Sequence, residues 1–232
     1  MKKLGIIGGL GPMATAHFMA LITKMTEAEK DQDHIEMIIH SRPAIPDRTA
    51  FITGQSDLSP EPDLIELGKG LADAGAEILA IPCFSAHYFI DVVRKAAGIP
   101  VIDAIEEVAS YLKGKSFTKV GILATDGIIH SRLYQDKFEK AGIEVLLPDA
   151  YAQKRIMYMI YKIKSGSEVD IINLSLLSQG LFEDGAEAVL LGCSDLSTLE
   201  HRADLPPQYL DVLDVLARRA VLECGTLREE YK

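Results

Sequence analysis

Residues 70–83 read GLADAGAEILAIPC, and residues 180–193 read GLFEDGAEAVLLGC. Laid on each other without a gap, the two share Gly, Leu, Gly, Ala, Glu and Cys at matching positions. Both have the same grammar: the end of a helix, a glycine suited to the turn that stops it, then a short and almost wholly apolar strand. A strand that does not alternate is covered on both faces, as in a parallel sheet. A fainter echo joins residues 3–7, KLGII, to residues 119–123, KVGIL. Helix–glycine–strand passages occur in any α/β protein, so the strands alone would be generic. The cysteines that close both stretches are not, and they point to two related α/β halves facing each other.

The rest of the chain fits around that repeat. Residues 3–8 read as a strand that leads through Gly9-Leu10-Gly11-Pro12 into a helix ending near Lys30, with a second strand over 34–40. Residues 41–62 are loop-rich, and a helix over 63–74 stops at Gly75. After the strand over 77–82 come a helix to Ala97, a short strand over 100–103 and a helix to Lys113. The second half predicts a strand over 119–124, a helix over 128–141, a strand over 143–147 and two helices within 151–184. A strand over 188–191, a short strand over 209–212 and a helix to Glu223 complete it. Alternating strands and helices imply parallel sheets with right-handed crossovers. The expected fold is α/β: two similar doubly wound parallel-sheet domains related by a pseudo-twofold axis, with the active site in the cleft between them. The expected division is residues 1–102 plus 212–232 against residues 103–211.

Composition narrows the function. With 232 residues, 48% hydrophobic and 25% charged, the chain is globular and long enough for one large domain or two compact ones. Its 24 Lys and Arg face 34 Asp and Glu, a net charge of −10, without basic runs. Nucleic acid and anionic lipid surfaces are therefore not expected partners. The apolar run at the N-terminus is broken by Gly8, Gly9, Gly11 and Pro12, which fits a strand and glycine turn better than a secretion signal. No stretch approaches the ~20 apolar residues of a membrane span. Three cysteines, Cys83, Cys193 and Cys224, form no C-x-x-C pair, so neither a disulfide framework nor a zinc site is expected. The six histidines are scattered, and no metal is expected. Reduced thiols and no membrane segment describe a cytoplasmic protein.

The chemistry is expected where the two matched cysteines lie. In open parallel sheets ligands bind beyond the carboxyl ends of the strands, and Cys83 and Cys193 each sit at such an end. A following helix would hold each thiol at its positive end and lower its pKa. Under a pseudo-twofold axis the thiols meet across the cleft. Inverting a carbon that bears hydrogen needs a base on one face and an acid on the other, and a thiol and thiolate can exchange those roles. The alternative is that both are small buried hydrophobes, as Cys224 in the last helix is expected to be. A disulfide oxidoreductase would use two cysteines as well, but with its resolving thiol close by.

Ile81-Pro82-Cys83-Phe84-Ser85-Ala86-His87, Leu191-Gly192-Cys193-Ser194-Asp195-Leu196 and Ile45-Pro46-Asp47-Arg48-Thr49 resemble motifs of the aspartate/glutamate racemase family. The opening Gly8-Gly9-Leu10-Gly11-Pro12-Met13-Ala14-Thr15-Ala16 and Asp31-Gln32-Asp33-His34-Ile35 are similar to two further stretches of that family. The resemblance runs from residue 3 to about residue 215. It implies a cofactor-independent amino acid racemase, usually dimeric, acting on an acidic or related amino acid. Cys83 and Cys193 map onto the paired catalytic thiols. Arg48 matches the arginine of the family's P-D-R-T motif, and Lys164, in Lys164-Ser165-Gly166, its lysine before a glycine. A guanidinium grips a carboxylate through two parallel hydrogen bonds and a lysine supplies a point charge; surface solvation is the alternative for both. Gly9, Gly11, Met13, Phe84, Ser85, Ser194 and Asp195 complete the expected substrate-binding set, the glycines by letting backbone amides approach a carboxylate.

The chain departs from the family at four places. Phe84 and Ser41 stand where asparagines are usual, and Ser194 and Asp195 replace Thr and Glu. Loss of two amides points to altered contacts with the substrate carboxylate, with the chemistry kept and the specificity shifted. His87, one turn beyond Cys83, either tunes that thiol or caps an exposed helix face, and Asp195 either orients a thiol or caps a helix. Glu77 and Glu187, at matched repeat positions, are expected to be solvated loop carboxylates. Three other functions remain open. Gly9-x-Gly11-x-x-Ala14 fits a dinucleotide fingerprint, but residues 39–41 lack its acidic ribose ligand. A non-enzymatic amino-acid-binding protein, or a decarboxylase or isomerase of small dicarboxylates on a related fold, is also compatible.

Overall fold

A computed structural model describes residues 1–199 and 204–232. Its two sheets are parallel throughout. The first has the order β2 (Met37–Ser41), β1 (Leu4–Gly8), β3 (Ile78–Ala80). The second has the order β5 (Glu144–Leu146), β4 (Lys119–Leu123), β6 (Ala188–Leu191), β7 (Tyr209–Asp211). The repeat fixes the same register in both: Gly5 of β1 lies opposite Leu79 of β3, and Gly121 of β4 opposite Val189 of β6.

The passages that carry the repeat fold alike. Helices α3 (Glu61–Asp73) and α9 (Ile172–Glu183) both stop at a left-handed glycine, Gly75 with φ 95° and Gly185 with φ 93°. Just past the turn, Ala76 N–H donates to Leu71 O and Ala186 N–H to Leu181 O, satisfying the last helical carbonyls. Glu77 and Glu187 are not idle loop carboxylates. The Glu77 carboxylate accepts from the backbone N–H of Lys3 at 2.8 Å, and Glu187 from those of Thr118 at 2.6 Å and Lys119 at 3.0 Å. Each pins the start of the neighbouring strand, and these bonds hold the Glu187 carboxyl below its ordinary range.

Alternation across each strand divides the core into three layers. Ile6 and Ile122 face a central cluster that continues from one sheet to the other, filled by Phe18 and Ile22 of α1 (Pro12–Met25), Ile105 and Val108 of α5 (Ala104–Gly114), and Leu213 and Leu216 of α10 (Val212–Cys224). Cys224 is buried there as a packing residue. Ile7 and Leu79 face the outer layer of the first sheet, under α3 and α4 (Ile90–Ala97). Leu123 and Val189 face that of the second, under α8 (Ala150–Lys164) and α9. Burial on both faces is why the strands read as continuous apolar runs.

Several elements differ from the sequence reading. The second strand starts at Met37, after a 3-10 turn over Asp31–Asp33. The loop over 41–62 contains a short helix α2 (Arg48–Ile52), capped by Asp47, whose carboxylate accepts from Ala50 N–H at 2.9 Å. Residues 100–103 make only one bridge, Leu79 to Val101, because Pro100 has no N–H and Asp103 already caps α5. The helix expected over 128–141 is two, α6 (Asp126–His130) and α7 (Gln135–Lys140). They break at Arg132, held at φ 54° with ion pairs to Asp136 and Glu139. Beyond Cys83 the chain makes a 3-10 helix, Phe84–Phe89, before α4, and beyond Cys193 a single 3-10 turn, Leu196–Thr198.

Candidate active site

The loops leaving the carboxyl ends of β1, β3, β4 and β6 converge between the two sheets. Cys83, three residues past the end of β3, and Cys193, two past β6, line one small cavity of about 10 Å³. Leu10, Asp47, Arg48, Lys164 and Asp195 line it too, and the same five border a wider neighbouring cavity of about 390 Å³.

Each cysteine is anchored through its backbone. Tyr134, fully buried, donates from its hydroxyl to Gly192 O at 3.4 Å, just before Cys193. His87 Nδ1 lies 3.1 Å from Cys83 O, while Ala104 N–H donates to His87 Nε2 at 3.2 Å. Because Nε2 must accept, Nδ1 carries the proton and donates to Cys83 O. His87 is 2% exposed, so it caps no open helix face. Burial pulls its pKa below the ordinary histidine value and keeps the ring neutral, against the opposing charge of Asp103.

The thiols have different surroundings. Cys83 Sγ lies 3.5 Å from Ser85 Oγ. Cys193 donates to Asp195 Oδ2 at 3.6 Å, and that oxygen also takes Lys164 Nζ at 2.7 Å. Burial, reinforced by the Asp195 charge, pushes the Cys193 thiol well above the ordinary cysteine range, although Lys164 opposes it. This corrects the expectation of a helix-lowered pKa at Cys193: a lone 3-10 turn supplies little dipole, and a carboxylate stands beside the sulfur.

Both expected cations turn inward. Arg48 is 8% exposed and donates to Leu10 O at 3.0 Å, Pro46 O at 3.2 Å and Ile45 O at 3.5 Å. Its Nε is buried without a hydrogen-bond partner. Burial lowers the proton affinity of this guanidinium, but Cys83, Asp47 and Asp195 outweigh it, so its pKa is raised. Lys164, at the end of α8, has a side chain 25% exposed. Burial works against its charge, and Asp195 and both cysteines raise its pKa in spite of it.

The other expected residues divide. Ser85 and Ser194 line the small cavity. Phe84 borders it, yet its side chain is 1% exposed, belongs to the central core and lies with its ring centroid 6.2 Å from that of His87. Gly9, Gly11 and Met13 line the wider cavity. Gly9 has φ 89°, and a Cβ there would lie 2.4 Å from Arg42 N, so glycine is required for the loop to close on the chain at 42–43. Its N–H is taken by Thr15 Oγ1 at 2.9 Å and does not face an open site, contrary to the role expected of a carboxylate-approaching amide. Ser41 is exposed at the end of β2 and borders neither cavity. Asp47 and Tyr161 were overlooked as site residues. Tyr161 donates to Asp47 Oδ2 at 3.4 Å, joining the second half to the first. Its position three residues before Lys164 on α8 was the available signal, since such pairs share a helix face. Among the described residues, no group of three or more His, Cys, Asp or Glu is arranged to hold a metal. No helix among them is long and apolar enough to cross a membrane.

With this geometry established, comparison with known proteins gives a consistent result. The chain is 26% identical over 234 residues to the broad specificity amino-acid racemase RacX of Bacillus subtilis, covering 94% of this chain and 96% of that one. Its fold superposes on Picrophilus torridus aspartate racemase with a TM-score of 0.87 at 28% identity, covering 100% of this chain and 98% of the other. Glutamate racemase from Francisella tularensis, at 17% identity and a TM-score of 0.69 over 96% of this chain and 81% of that one, shares the fold. Residues 7–220 match the Asp/Glu/Hydantoin racemase family, and the chain belongs to it.

Proposed function

We propose that this member of the racemase family inverts the α-carbon of an amino acid without a cofactor, Cys83 and Cys193 serving as its two acid–base groups. The observation that carries the reading is that cysteines from equivalent strand ends of the two halves border one cavity. One sulfur, as thiolate, takes the α-hydrogen: the C–H bond breaks, an S–H bond forms, and the electron pair stays on the substrate as a carbanion delocalised into the carboxylate. The opposite thiol then gives its proton to the other face of that carbon. The sulfurs leave the turnover with their protonation exchanged, ready for the other enantiomer.

The surroundings support unequal resting roles. Cys193, pushed up by burial and Asp195, is the resting acid. Cys83 instead has the Arg48 guanidinium as its electrostatic neighbour, a cation that favours negative charge on its side of the cleft. Arg48 also holds the substrate carboxylate, where a fixed and largely buried cation favours the charge that develops during proton abstraction. The division into residues 1–102 plus 212–232 and 103–211, assembly as a homodimer and a cytoplasmic location belong to the same proposal. The test is circular dichroism of single enantiomers incubated with wild type, Cys83→Ala and Cys193→Ala. Loss of optical activity with wild type alone is expected. Racemisation that survives in either variant, or saturable binding by wild type with no loss of optical activity, overturns the reading.

A further inference from the structure

Among the described residues, the two neighbouring cavities share four charged side chains, two of each sign: Asp47, Arg48, Lys164 and Asp195. Their pairing is uneven. Lys164 lies 2.7 Å from Asp195, whose side chain is 6% exposed. Asp47 is occupied by Ala50 N–H and the Tyr161 hydroxyl. Among the described residues Arg48 has no carboxylate within ion-pair distance: its terminal nitrogens go to backbone carbonyls, and its buried Nε bonds to nothing. One cation is therefore left for one substrate carboxylate.

A second carboxylate would have to take Lys164 from Asp195. That would leave a buried carboxylate uncompensated beside Cys193, the costly way to break such a pair. Among the described residues the space beyond offers no other cation. The wider cavity, about 390 Å³, is bordered by Met13, Pro43, Ile45 and Ile163, and the next one along carries Glu168. An apolar side chain fits against those walls by desolvation alone, whereas a second carboxylate would meet them with Arg48 and Lys164, the cations among the described lining residues, already engaged.

We infer that the substrate is an amino acid with a single carboxylate and an uncharged, apolar side chain of about leucine or methionine size, in place of the acidic substrate that the family resemblance implies. This rests on the racemase reading above, with Asp195 setting the specificity by neutralising Lys164.

The test measures kcat/KM for α-deuterium incorporation in heavy water by the wild-type protein, with both enantiomers of methionine, leucine, aspartate, glutamate and lysine. Methionine or leucine is expected to exceed aspartate and glutamate at least tenfold, or about 1.4 kcal/mol. An acidic substrate that equals or beats them overturns the inference and leaves the racemase reading intact, and so does a preference for lysine. Exchange with no amino acid of the panel fells the racemase reading itself, and the inference with it. Asp195→Asn frees Lys164 and is expected to raise the aspartate-to-methionine ratio at least tenfold. Met13→Lys, which adds a cation at the exposed wall without touching the pair, is expected to move the ratio the same way. A ratio unmoved in both variants counts against the charge argument.

Discussion

Replacing His87 with phenylalanine tests how the Cys83 loop is held. Phenylalanine keeps the ring volume in a site where histidine is 2% exposed, so the packing cost is small. Two hydrogen bonds are lost. Cys83 O keeps its bond from Ala86 N–H, so losing the His87 donor costs only about 0.5–1.5 kcal/mol. Ala104 N–H is fully buried and loses its acceptor, which costs about 1–3 kcal/mol. Together the variant should be about 1.5–4.5 kcal/mol less stable at pH 7.5. The pH dependence provides a second reading. The folded-state pKa of His87 is lowered by burial, so between the unfolded value of about 6.5 and the folded one only the unfolded chain binds a proton. Wild-type stability therefore falls as pH falls through that window, by at most about 1.4 kcal/mol between pH 7.5 and 5.5 for this one group, the limit set by the unfolded value. The variant lacks the group, so its deficit should be smaller at pH 5.5 than at pH 7.5. The charged groups facing His87 are Asp103 and Lys137, which form an ion pair present in both proteins and cancel to first order. Urea titrations at the two pH values make the comparison. A variant as stable as wild type at pH 7.5, or a deficit that does not change with pH, refutes the account of His87 as a neutral clamp.

Three further predictions follow from the same geometry. Lys164→Met should cost about 2–3 kcal/mol, less than the roughly 3–5 of a fully buried pair because Lys164 keeps a quarter of its side chain in water, and the double variant Lys164→Met/Asp195→Leu should recover most of it in urea titrations. Gly75→Ala and Gly185→Ala should each cost about 1–2 kcal/mol and lower Tm by about 2–8 °C, because φ at 95° and 93° is strained for any side chain; an unchanged Tm contradicts the turn account. Phe84→Asn should behave first as a core lesion, losing about 3–5 kcal/mol in thermal or chemical denaturation, since a buried ring is replaced by a smaller polar group.

Much of the architecture was legible because the repeat is written in residues with few structural alternatives. A glycine at φ near 95°, an apolar strand and a closing cysteine recur together, and the same register follows in both sheets. What stayed hidden depends on contacts distant in sequence. Glu77 and Glu187 look like loop carboxylates until the N-terminus of the adjacent strand is in place to donate to them. Arg132 breaks a helix without glycine or proline to announce it. The thiol environment was misread for a similar reason. Sequence shows that a helical residue follows a cysteine, but not that the turn is 3-10 or that Asp195 folds back within 3.6 Å of the sulfur. At the site, the matched cysteines, Arg48 and Lys164 were visible as motif residues, whereas the ion pair that neutralises Lys164 exists only once α8 packs across the loop after β6.

The central claim is that two sulfurs address opposite faces of one carbon, and single-thiol variants examine it most directly. Cys83→Ser and Cys193→Ser, each given the separate enantiomers in heavy water, should retain slow α-deuterium exchange on opposite enantiomers, because each keeps the thiol facing one side. Exchange confined to the same enantiomer in both variants, or undiminished racemisation in either, would contradict it.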